Sequence, residues 1–191
     1  MADHDIPLDE WGTGEANTIT ALMGQLESGE VALLEGEQGE LIRHSEAAGI
    51  IVLHHGDDGH LYRLNERQVF DDGRVRSRNF PGSIGEKIRH GESAEEAARR
   101  ALVEELGLSP ELAADTEVRL HKKLRRDRHS QSFPGMISRG SLMLYVVEFD
   151  GRHYRPCYVE RQEGKTNHFE WSIVQNRETY DASYHGMTGV Q

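Results

Sequence analysis

The stretch GESAEEAARRALVEELGL, residues 91–108, ends in two adjacent glutamates whose position is chemically unusual. Successive residues of a helix turn by about 100°, so Ala97, Ala98, Ala101 and Leu102 fall on one apolar arc with Glu105 near its middle and Glu104 at its edge. A carboxylate in a core-facing stripe is costly unless it is paired or meets a cation. The macrodipole adds to that cost, because the C-terminal end of a helix disfavours negative charge. Two carboxylates that break local rules together show where a functional site is to be sought, and their oxygens suit a hard divalent ion. The structural alternative is that the stripe opens to solvent at its last turn, or that Glu105 pairs with a lysine or arginine.

The helix that must carry these groups is written out at both ends. Ser93 followed by Glu96 forms a capping box, Gly107 supplies a left-handed C-terminal cap, and alanine, leucine, arginine and glutamate fill the interior. The expected helix spans about 93–107.

The residues from Gly85 to Leu108 resemble the Nudix box of the Nudix hydrolase family, G-x5-E-x7-R-E-U-x-E-E-x-G-U with U aliphatic. Glu92, Arg100, Leu102, Glu104, Glu105, Gly107 and Leu108 match it. Two positions depart. Glu86 stands at the first glycine, with Gly85 one place early, and Ala101 stands where the family has the glutamate after the arginine. The resemblance implies a metal-dependent hydrolase that cleaves a diphosphate linkage in a nucleoside diphosphate derivative, using Mg2+ or Mn2+. Glu104, Glu105 and Arg100 would be its catalytic groups, Glu104, Glu105 and Glu86 its metal ligands, and Glu92, Gly85 and Gly107 the structural part of the box, with Glu92 and Arg100 paired. Glu86, Glu148 and Glu163 are the candidates to replace the missing carboxylate. Ala101 also admits a module that binds a nucleotide or diphosphate without cleaving it. An isopentenyl diphosphate isomerase shares the fold and lacks the same glutamate, but its cysteine before the box has no counterpart in NFPGSIGEK, and Cys157 is distant in sequence.

Around the helix the chain alternates hairpins and turns. Ala16–Leu26 suits a short amphipathic helix ended near Gly29, and VALLEG with GELIRH reads as a hairpin. GIIVLHH and HLYRLNE flank a turn at 56–59, DDGRV is a further turn, and strands are expected near TEVRLHKKL, in SLMLYVVEF and in HFEWSIV. One box helix among antiparallel hairpins implies an α+β fold, which the resemblance refines to a Nudix-type α/β/α sandwich with a mixed β-sheet. The expected organisation is a flexible segment at 1–14, a helix and hairpin extension at 15–44, a Nudix domain at 45–175 and a polar tail at 176–191.

Composition bounds the partners. The 191 residues carry a formal net charge of −11, against broad nucleic-acid binding. A mean hydropathy of −0.67, with no apolar run of bilayer length, argues against a membrane protein. The single Cys157 allows neither an internal disulfide nor a multi-thiolate zinc site. The opening MADHDIPLDE has no basic start and no apolar stretch, which predicts no secretory signal and a cytoplasmic location. One basic run, HKKLRRDRH at 121–129, reads either as a solvated loop or as a phosphate-contacting one in which Arg125, Arg126 and Arg128 bind substrate. Tyr62, Phe80 and Phe133 are stacking candidates, though core or rim roles are the commoner fate of such residues. A small-molecule diphosphate is the expected partner, and the N-terminal helix and hairpin offer an interface for a homodimer.

Overall fold

The computed structural model describes residues 6–14, 16–77 and 80–174, so the tail at 176–191 lies outside the described residues. In chain order the elements are α1 (Ile19–Glu27), β1 (Ala32–Glu35), β2 (Leu41–His55), β3 (Leu61–Phe70), β4 (Val75–Ser77), β5 (Ile84–Lys87), α2 (Ala94–Glu104), α3 (Pro110–Asp115), β6 (Arg119–His129), β7 (Ile137–Phe149), β8 (Cys157–Gln162) and β9 (Lys165–Ile173). This is a mixed sheet with few helices, the α+β class expected. Two compact units emerge: the described residues of 1–48 with 87–97 and 122–143, and those of 49–86 with 98–121 and 144–174.

The first unit gathers around Trp11, Leu22, Leu41, Phe133 and Met136, with Ile6, Leu26 and Leu33 packed against them. Thr18 caps α1 by accepting the Ala21 amide, and Leu22 on its inner face is fully buried. The N-terminal stretch expected to be loose puts Trp11 into this core, where its indole N–H donates to the Pro134 carbonyl at 3.0 Å. Phe133 meets Trp11 edge-on at 5.3 Å and is fully buried, so it is a core aromatic and no stacking platform. β1 and β2 form the expected hairpin, with Glu35 opposite Leu41. β2 then runs unbroken to His55, where two separate hairpin arms were expected, because Ser45–Ala48 holds no glycine or proline to stop it. The strand expected near TEVRLHKKL forms as β6 but runs on to His129, so the basic run, read as a loop, is strand throughout, and its side chains are mostly exposed. Asp127 there pairs with Arg139 at 2.9 Å and lies 3.9 Å from Arg125.

In the second unit β2, β3, β9 and β8 are hydrogen-bonded in that order, all antiparallel, and β4 adds to β3. Ile51, Leu53 and Leu144 form a core cluster with Leu61 and Val146. Residues directly opposite in an antiparallel pair share a face. The register Leu64↔Trp171, Glu66↔Phe169, Gln68↔Asn167 and Tyr158↔Phe169, Glu160↔Asn167 therefore places an apolar band and a polar band on the same face of three strands. Before β5 the chain passes so close to itself that a Cβ on Gly82 would sit 2.8 Å from the Ile84 carbonyl and 2.9 Å from that of Ile50, which only glycine permits. Ser83 locks this approach, its amide donating to Ile50 O and its Oγ accepting from the Val52 amide.

The loop after β7 is organised by two side chains. Asp150 accepts from the Arg152 amide and contacts His153 Nδ1 at 2.7 Å, and the His153 hydrogen bond is the largest cause of a carboxyl held well below its usual range. This contribution to stability is present above the ordinary carboxylate value of ~3.9 and is lost as pH falls below it. Tyr158 donates from its phenol to the His153 carbonyl at 2.6 Å and accepts the Arg155 amide, and burial pushes its pKa up to about 12. Tyr158→Phe is expected to cost ~1–2 kcal/mol, because a buried carbonyl loses its donor and an amide its acceptor. At ~2–4 °C per kcal/mol the loss is readable in the thermal midpoint, and an unchanged midpoint would show that water replaces the phenol.

Candidate active site

The helix expected from the capping signals forms as written. The Ser93 amide donates to Glu96 Oε2 at 2.8 Å and the Glu96 amide to Ser93 Oγ at 3.2 Å, which is the reciprocal capping box. At the other end the Gly107 amide reaches Val103 O, the five-to-one bond of a left-handed cap with Gly107 at φ +62°, and the Leu108 amide reaches back to Leu102 O. Any Cβ at Gly107 meets the left-handed penalty, so Gly107→Ala is expected to lose ~1 kcal/mol and a few degrees of thermal midpoint. A midpoint equal to wild type would mean that the helix end can be closed another way.

Ala97, Ala98, Ala101 and Leu102 are all fully buried, as the apolar arc requires. Glu105 follows them inward at 4% exposure, and its Oε1 accepts a hydrogen bond from the Gly85 amide at 2.9 Å. β5 presents the neighbouring Glu86, whose Oε2 lies 3.1 Å from Arg100 Nη1. The same Nη1 reaches Glu104 Oε2 at 3.1 Å, so one guanidinium tethers two of the box region's carboxylates, one from β5 and one from α2. Glu92 accepts the Arg89 amide at 2.9 Å in the turn before the helix.

Glu105 and Glu86 line a polar cavity of about 360 Å3 with Gly85, Gln68, Arg76, Gln162, Lys165 and Asn167. Its floor is the polar band of β3, β9 and β8, and Arg76 comes from β4, opposite Gln68. Asn167 is 2% exposed; its Nδ2 donates to Glu160 at 2.7 Å, but its Oδ1 is buried without a partner. Glu66 is also buried and accepts from Gln68 Nε2 at 2.8 Å. A buried acceptor with nothing to accept from is costly, and a cation or a donor group entering this cavity would remove that cost. Arg76 and Lys165 supply positive charge beside the carboxylates.

Of the candidates for the missing carboxylate, Glu86 lines this cavity. Glu148 on β7 pairs instead with Arg119 at 2.6 Å, and Glu163 sits in the turn between β8 and β9. Arg125, Arg126 and Arg128 belong to the first unit, and none lines the cavity. Sequence reasoning missed Gln68, Arg76, Lys165 and Asn167, since nothing but strand register gathers them. It also passed over α3, although Ser109–Pro110 is a helix start signal and Ser109 does cap the Leu112 amide. The donor set around Glu105 is oxygen throughout, which fits Mg2+ or Mn2+. Among the described residues no three His, Cys, Asp or Glu side chains are gathered closely enough to close round an ion.

The NUDIX domain family matches residues 44–176, which contain this helix and cavity and all of the sheet except β1 and the first residues of β2. The chain belongs to the Nudix hydrolase family. Solved structures similar to it include the dihydroneopterin triphosphate pyrophosphohydrolase of E. coli, 13% identical over 73% of this chain and 92% of that one with a TM-score of 0.44. A C. elegans Ap4A hydrolase is 15% identical over 75% and 99%, with a TM-score of 0.37. The M. smegmatis Nudix hydrolase RenU is 14% identical over 84% and 96%, with a TM-score of 0.40. No curated protein matches the chain. No described helix is long and apolar enough to cross a membrane.

Proposed function

We propose that the chain hydrolyses a diphosphate linkage in a nucleoside diphosphate derivative with the help of Mg2+ or Mn2+, at the cavity beside Glu105. The observation that carries this reading is Glu105 itself, a carboxylate almost without exposure that opens onto a polar cavity holding a second carboxylate and two cations. Glu105 and Glu86 would hold the ion, with water and phosphate oxygens completing its shell and the orphaned Asn167 Oδ1 as a further oxygen of the same cavity, while Glu104, which the box pattern also offers as a ligand, is tethered to Arg100. When bound, the ion would polarise a phosphoryl oxygen and neutralise charge on the leaving oxygen. Arg100 positions Glu86 and Glu104 rather than touching substrate. Arg76 and Lys165 would neutralise the phosphates, the part the sequence reading gave to Arg125, Arg126 and Arg128.

The test is release of phosphate and nucleotide from a panel of nucleoside diphosphate compounds with Mg2+, Mn2+ or a chelator. Turnover that needs the ion supports the reading. A second reading, a binding module without turnover, is favoured by Ala101, which leaves the helix one carboxylate short of the box pattern. Stabilisation by the same compounds with no product released would favour it.

A further inference from the structure

A second cavity in the same unit has a different chemistry. It measures about 880 Å3 and is lined at the end of β2 and its turn by His54, His55, Asp57 and Asp58, and at the end of β7 and the loop after it by Glu148, Asp150 and Tyr154, with Trp171. Tyr62 lines it, whereas Gln68 lines the cavity beside Glu105. Six residues of strand at ~3.4 Å each put the two about 20 Å apart, so this is a separate site.

One wall is aromatic and held in place. Tyr154 stacks on His54 at 4.4 Å between ring centroids and lies 5.8 Å from Trp171 at an interplanar angle of 25°. His54 Nδ1 is anchored to the Phe149 carbonyl at 2.9 Å, and Trp171 Nε1 donates to the Arg155 carbonyl at 2.8 Å. Tyr154 remains 41% exposed, a large aromatic surface kept open beside the cavity. The charged lining is one-sided: four carboxylates and no lysine or arginine. Asp58 and Asp150 are engaged by Tyr62, His60, Arg152 and His153, and Glu148 by Arg119, whereas Asp57 has no partner among the described residues. Such a field repels phosphates, so the cavity does not extend a diphosphate site. Aromatic faces attract cations, and carboxylates pair with planar N–H donors in two-pronged fashion.

We propose that the cleft between the β2–β3 turn and the loop after β7 binds a flat organic cation carrying N–H donors, of the guanidinium or amidinium class, stacked on the Tyr154 wall and paired with Asp57. The test is calorimetric titration of the full chain with benzamidine, its neutral isostere benzamide, and tetramethylammonium. The expected result is saturable 1:1 binding of benzamidine, with benzamide and tetramethylammonium about tenfold weaker or more. Tyr154→Ala should weaken benzamidine by about tenfold and Asp57→Asn by at least about threefold. Asp57 is exposed and has no partner among the described residues, so that variant keeps the test alive should Tyr154→Ala fail to fold. No saturation by about 10 mM, equal binding of benzamide, or wild-type affinity in a folded Asp57→Asn chain would each overturn the proposal. Tetramethylammonium binding as tightly as benzamidine would replace it with a site for alkylated ammonium.

Discussion

Glu105→Gln is expected to lower metal-dependent kcat/KM by on the order of a thousandfold, the equivalent of ~4 kcal/mol of transition-state stabilisation. The substitution is close to isosteric, and the new side-chain carbonyl can still accept the Gly85 amide that Glu105 binds at 2.9 Å. What is lost is the negative charge on a group almost sealed from water, where no counter-ion from solvent can compensate. The same variant should lose the rise in thermal midpoint that Mg2+ or Mn2+ gives the wild type, because that rise measures binding to the folded state alone. Turnover and metal shift both unchanged would place the ion on other residues. A lost shift with turnover unaffected would separate ion binding from chemistry.

Ala101→Glu, which restores the family pattern, should destabilise the protein without raising turnover. Ala101 is fully buried, and its neighbours Ala97, Ala98 and Leu102 are fully buried too, so the packed arc offers no space for a longer side chain. Overpacking costs ~1–3 kcal/mol, and a carboxylate without a partner adds more. A fall in midpoint on the order of 10 °C is expected by unfolding monitored with and without Mg2+. Turnover should not increase, because Glu86 already brings a second carboxylate to the cavity from β5. A large gain in turnover, in a chain that still folds, would instead identify a site that had lost its activity through this one residue. Run on the same panel of nucleoside diphosphate compounds, the pair of chains separates the hydrolase from the binding module.

Local chemistry made the helix legible from residues alone. Ser93 and Glu96 are three apart, Gly107 follows the last apolar turn, and each signal acts within a single turn of backbone, so no tertiary information is needed to read it. The placement of Glu105 in the apolar arc follows from helical periodicity in the same way, and its burial agrees with that. The rest of the cavity depended on long-range register. Gln68 meets Asn167 across β3 and β9, and Asn167 meets Glu160 across β9 and β8; a slip of one residue in either pairing would turn these groups to the opposite face. Sequence spacing carries no trace of that choice. The basic run at 121–129 shows the converse: its charge was plain, but strand β6, rather than a loop, decides which way each side chain can point. Phe133 and Trp11, 122 residues apart, became core partners for the same reason, since burial is a property of the neighbours that the fold supplies and not of the residue itself.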